Sequence, residues 1–201
     1  MTSTRLMTAL LAPVALVSLS ACGINSIPTA EEEVKARWAD VESNYQRRAD
    51  LIPNLVATVQ GYADQEREVL TEVTEARARA SSIQLNAEDL NDPAKMQQFA
   101  EAQGQLGSSL GRLLATFEAY PDLKSNQNFL ALQSQLEGTE NRINIARLDY
   151  NQAVQEYNTR IRTFPDIIGA KVFYGAEPMA TFEATAANAD VAPTVDFGNS
   201  Q

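Results

Sequence analysis

Apolar residues recur along this chain at spacings that alternate four and three. The first run is Val34, Trp38, Val41, Tyr45, Arg48, Ile52, Leu55, Val59, Tyr62, Glu66, Val69, Val73, Ala76 and Ala80. Such a run predicts a helix with a coiled-coil-like face over about residues 31–81. Only Arg48 and Glu66 put charge on that face. Ser81, Ser82, Asn86, Asn91 and Asp92 break the pattern, and Asp92-Pro93 supplies a cap followed by a first-turn proline. A second stripe, Met96, Phe99, Gln103, Leu106, Leu110, Leu113 and Phe117, predicts a helix over about 93–119. Gly104, Gly107 and Gly111 lie along it, either allowing close helix approach or softening the helix. A third stripe runs from Phe129 through Leu132, Leu136, Thr139, Ile143, Ala146, Tyr150, Val154 and Tyr157 to Ile161, predicting a helix over about 126–163. Phe164-Pro165 is expected to stop it, with Phe164 as an apolar plug. A short element at 166–173 is expected to fold back over the bundle end.

These stripes predict an all-α fold: an elongated antiparallel three- or four-helix bundle with coiled-coil-like packing over 31–175. The first helix, at about 50 residues, would reach ~75 Å, and the second only ~40 Å. Counted back from their connection, the second helix runs out near Pro53, so the seam from Val34 to Tyr45 is expected to need another cover. A fourth helical piece, a kink at Pro53 or another subunit would each supply it. Pro53 itself lacks the N–H a helix interior uses, which favours a bend.

The ends of the chain add an address. Arg5 precedes an apolar run from Leu6 to Leu19 that is short for a membrane span and contains Pro13. Leu19-Ser20-Ala21-Cys22 resembles the lipobox of bacterial lipoproteins. Residues 1–21 are therefore expected to be a signal peptide, Cys22 the lipidated mature N-terminus, and 22–30 a tether with Thr29 as the helix cap. A membrane-anchored envelope protein follows, sorted to the outer membrane and facing the periplasm in a Gram-negative cell. Residues 176–201 are rich in Ala, Thr, Asn and Asp and are expected to form an acidic, largely disordered tail.

Composition narrows the chemistry. The net charge is −10 with no clustered basic residues, which argues against a nucleic-acid partner. The chain has no histidine and one cysteine, so the commonest general base, internal disulfides and thiolate zinc cages are absent. Neither a metal site, a cofactor nor an enzymatic activity is expected.

Two blocks carry a family resemblance. One is QRRADLIPNLVATVQGYADQE at 46–66 followed by TEARARA at 74–80; the other is NRINIARLDYNQAVQEYNTRIRTFPDIIGAKVF at 141–173, with FEA at 182–184. The chain resembles the LemA family over roughly 34–184. That resemblance implies a helical, membrane-associated protein and attaches no reaction. Many members have a histidine before the glutamate matching Glu66, where this chain has Gln65. Many also have a true transmembrane helix, whereas the lipobox here implies a bulk outside the cytoplasm.

The residues singled out are Arg48, Asp50, Pro53, Asn54, Tyr62, Glu66, Tyr150, Asn151, Tyr157 and Asn158. Arg48, Asp50 and Glu66 are read as an ion-pair layer that fixes helix register, against a layer that binds a partner or ligand. Arg48 and Glu66 are ~27 Å apart on a straight helix, so each must meet another element. Asn144, Asn151 and Asn158 repeat every seven residues beside Ile143, Tyr150 and Tyr157, as either cross-helix hydrogen bonds or a recognition edge. The expected function is a non-enzymatic, lipid-anchored scaffold or adaptor acting through protein contacts or self-association. The alternative is a small-ligand-binding bundle using the Arg48 layer and the Asn/Tyr stripe.

Overall fold

Helix α1 runs Ser26–Gln60 and α2 runs Arg67–Ser82 in a computed structural model that describes residues 25–61 and 66–182. The single helix expected over 31–81 is therefore two. The chain reverses between them, and Leu70, Val73, Ala76 and Ala80 of α2 cluster with Ile52, Leu55 and Val59 of α1. The later part of the first stripe packs back on the earlier part. Pro53 does not interrupt α1, which continues through it with the ring exposed. The proline leaves the carbonyl of Ala49, four residues earlier, without its helical donor. Arg77 of α2 supplies that donor, its Nε lying 2.8 Å from the Ala49 oxygen.

α1 also starts earlier than expected. Pro28 sits in its first turn, where its missing N–H has no helical acceptor to serve. Thr29 is inside the helix, not at the cap, and its hydroxyl donates to the Asn25 carbonyl at 2.8 Å. Ile27 and Ala30 are buried, so residues 25–30 of the expected tether are part of the folded unit.

After α2, Leu85 and Leu90 pin a connection that includes a 3-10 turn at Ala87–Asn91. Helix α3, Pro93–Phe117, is capped by Asp92, which accepts from the Ala94 N–H at 2.9 Å. A single-turn α4, Pro121–Lys124, leads to α5, Gln127–Arg160, capped by Asn126. The chain then makes α6, Asp166–Gly169, and a wide turn, Ala170–Tyr174. Gly175 closes that turn with φ +56°, a left-handed backbone that glycine takes without a Cβ clash. No strand occurs among the described residues.

The long helices α1 and α5 are antiparallel, since Trp38 meets Tyr150 and Arg48 meets Glu140. At ~50 Å each they run through two cores. One joins the second half of α1, α2, the later part of α3, Leu123 and the start of α5. The other joins the first half of α1, Leu85, Leu90, Met96, Phe99 and the second half of α5 with Met179 and Phe182. The Val34–Tyr45 seam is thus covered by the chain itself.

Three further expectations change. Residues 176–182 of the expected tail are packed, with Met179 and Phe182 buried. Residues 183–201 and the signal segment lie outside the described residues, as do Cys22 and Tyr62. Phe164 is 79% exposed and plugs nothing. Gly104 and Gly111 face open space, so no close helix approach depends on them.

Candidate functional site

Arg48 is the charged side chain deepest in the fold, 3% exposed between the two cores. Three elements converge on it. Its Nη1 donates to Glu140 Oε1 on α5 at 2.9 Å. Its Nη2 donates to both the backbone oxygen and Oε1 of Gln103 on α3, at 3.0 and 2.7 Å. The guanidinium also lies over the Tyr45 ring, 5.0 Å from its centroid. Gln103 passes the connection on, donating from Nε2 to the Ala80 carbonyl at the end of α2 at 3.3 Å. One buried arginine therefore ties α1 to α3 and α5 directly, and to α2 through Gln103. A guanidinium suits this because its fork bonds several acceptors at once. Its Nε is buried and has no hydrogen-bond partner among the described residues.

The asparagine stripe meets something different. Asn158 Nδ2 donates to the Met179 carbonyl at 2.9 Å, and its Oδ1 accepts from the Met179 N–H at 2.9 Å. Asn151 does the same to Phe182, at 3.0 and 2.8 Å. Between them, the Tyr150 hydroxyl donates to the Ala180 carbonyl at 2.9 Å, and the Ala180 N–H donates to the Leu90 carbonyl at 2.8 Å. The spacing explains why two asparagines a heptad apart hold residues three apart. Seven helical residues rise ~10.5 Å, and three residues of extended chain cover ~9–10 Å. The side chains of this strap complete an aromatic cluster. Phe182 stacks on Trp38 at 5.9 Å and meets Tyr150 edge-on at 5.6 Å, while Trp38 meets Phe99 at 5.3 Å. Arg147 lies over the outer face of Phe182 at 4.9 Å. Burial pushes the Tyr150 phenol well above its ordinary value.

The other candidates are dispersed. Asp50 is exposed and accepts from Gln46 Nε2 at 2.8 Å, outside the Arg48 layer. Asn54 is exposed beside Pro53. Glu66, at the start of α2, accepts from the Tyr120 hydroxyl at 3.0 Å. Asn144 is exposed, and Tyr157 is buried against α1 and the strap. Four residues that matter were not singled out in the sequence: Gln103, Glu140, Arg77 and Phe182. Pro53 carried a signal for one of them, since it frees a carbonyl that needs a donor from elsewhere.

Chemically, the arrangement joins elements and leaves no reactive pair. Among the described residues no three acidic side chains converge as a metal would require. No helix among them is long and apolar enough to cross a membrane.

The chain is 28% identical over 171 residues to magnetosome protein MamQ 2 of Paramagnetospirillum magneticum, an alignment covering 77% of this chain and 63% of that protein. It is 26% identical over 140 residues to protein LemA of Metamycoplasma hominis, covering 70% and 60%. It is 26% identical over 168 residues to magnetosome protein MamQ of Magnetospirillum gryphiswaldense, covering 76% and 62%. The chain thus spans about three fifths of the length of these relatives. The LemA family model matches residues 37–197, which takes in α1 from residue 37 onward, all of α5, the Arg48 node and the strap, and the chain belongs to the LemA family.

Proposed function

We propose that this protein is a non-enzymatic helical scaffold of the bacterial cell envelope, anchored at a membrane by a lipid on Cys22 and working through protein contacts. In a Gram-negative cell its place would be the outer membrane, facing the periplasm. The observation that carries this reading is how the polar groups are used. Arg48, Asn151, Asn158, Tyr150 and Glu66 are the side chains best suited to ligand or proton chemistry, and each joins one element of the fold to another. What the fold turns outward is contact surface. On α5, Ile145 and Leu148 are 51% and 69% exposed and adjacent on one face. The α1 seam that would have served for self-association is occupied by the chain, which moves the proposed contact face to α5.

A photo-crosslinking residue at Leu148 in the full chain, activated in intact membranes, tests this. A reproducible adduct of defined mass is expected, at twice the mass if the partner is a second copy. No adduct at Leu148 or Ile145 would contradict the scaffold. The small-ligand reading keeps one observation, the unpartnered Nε of Arg48 beside a groove lined by Tyr45, Ala49, Ala80 and Gln103. It requires a ligand that raises the melting temperature of the native chain but not of an Arg48→Met variant.

A further inference from the structure

The end of the molecule where α1 begins carries an inverted surface. Gly169 and Ala170 face inward, and Ala170 packs in the core with Ile27 and Ile161. The outward side of the same segment holds Phe164, Ile168, Val172 and Phe173, exposed by 79%, 54%, 69% and 65%. A cap facing water would put polar residues there. Single exposed apolar residues are unremarkable, but four on one short segment form a patch.

Two features of the chain say what covers it. The first is where the rest of the chain leaves. α1 starts at Ser26 at this end, and the apolar run Leu6–Leu19 stops six residues before Asn25, with Cys22 three residues before it. At ~3.5 Å per residue, those links reach at most ~10–20 Å. Whether residues 6–19 or a lipid on Cys22 enters the bilayer, this end of the fold is held within that distance of the surface. The second is local charge: Arg160, Arg162 and Lys171 flank the patch and are exposed, with Asp166 in the same stretch, while Glu88 and Glu177 lie to one side of it in the groove beside Tyr174. Glu31 and Glu32 on the neighbouring first turns of α1 are paired with Lys35.

We infer that the 164–174 cap is a membrane-docking face: its apolar side chains enter the interfacial region of the bilayer while the flanking basic residues meet anionic headgroups, so that α1 and α5 stand out from the surface. Short amphipathic segments bind bilayers through this combination of apolar burial and basic charge. The inference rests on the anchorage in the proposed function and adds an orientation to it.

The test uses the full chain in vesicles of phosphatidylethanolamine and phosphatidylglycerol with brominated acyl chains, which quench tryptophans inserted among them. The lone native tryptophan, Trp38, is buried ~18 Å along α1 from this end and gives an unquenched background. A Phe173→Trp chain is expected to lose its added emission several-fold, and a Leu148→Trp chain to lose none. Adding Phe164→Glu and Val172→Glu to the Phe173→Trp chain is expected to abolish the quenching. These sites are exposed, so the fold should persist. Flotation of the vesicles reports anchorage separately. A chain that floats with position 173 no more quenched than position 148 overturns the cap and leaves the anchor standing. Quenching that survives both glutamates also overturns it, as does protection of position 173 that depends on protein concentration without lipid, because a second copy would then be the occupant. A chain that fails to float removes anchorage and cap together.

Discussion

Replacing Arg48 by alanine is expected to lower the unfolding free energy by about 3 kcal/mol, measured by urea denaturation of the native chain. The magnitude follows from what is left behind. The side chain is 3% exposed, so its removal leaves a cavity between the two cores. Gln103 loses a donor to its backbone oxygen and another to its side chain, each worth about 1 kcal/mol when buried. No charge is stranded, however, because the Glu140 side chain is 43% exposed and rehydrates. The reverse deletion should be milder. Glu140→Ala leaves the guanidinium bonded to Gln103, with water able to reach the vacated side, and should cost about 1 kcal/mol. Arg48→Lys should behave more like the alanine variant, since one ammonium on a flexible stem cannot reach the three acceptors that the two ends of the fork hold. If Arg48→Ala and Glu140→Ala cost the same, the Gln103 bonds are not the important part of the node.

Phe182→Ala should be comparably damaging, at about 3 kcal/mol, although it lies in a region whose composition suggests a tail. Its ring contacts Trp38 and Tyr150 and lies 6.4 Å from Phe99. Its loss opens the core around Trp38, which is otherwise 4% exposed. At roughly 3 °C per kcal/mol for a chain of this size, the melting temperature should fall by about 10 °C. Trp38 emission should shift to the red in the folded variant as water reaches the indole. A Phe182→Ala chain that melts like the wild type with unchanged emission would mean that 176–182 is not part of the core in solution.

The helical stripes were legible because periodicity is local: nearly every apolar position of the second and third stripes is buried. The reversal after Gln60 was not, because Tyr62 and Glu66 keep the four-three spacing across it. Gly61 and Asp64 were the turn signals available, and a periodicity count outweighs two residues. The consequence of Pro53 was only half legible. A local rule shows that the ring frees a carbonyl, but the donor that satisfies it is a side chain 24 positions later. The partners of Arg48 were out of reach for the same reason. Gln103 and Glu140 lie 55 and 92 residues away, and only the folded topology brings them together. The asparagine repeat was visible as a repeat, but its ligand was hidden. Two large apolar residues, Met179 and Phe182, sit among small and polar neighbours, and what fixes them is backbone hydrogen bonding that leaves no compositional trace.

The conspicuous polar residues act as internal latches, with the strap as their clearest object. Amide hydrogen exchange on the native chain reads this directly at Met179, Ala180 and Phe182, whose N–H groups donate to Asn158, Leu90 and Asn151. These amides are predicted to be protected to nearly the level of α1 and α5, and to exchange much faster in an Asn151→Ala, Asn158→Ala chain whose long helices stay protected. Exchange of the three amides at free-peptide rates in the unaltered chain would contradict the account.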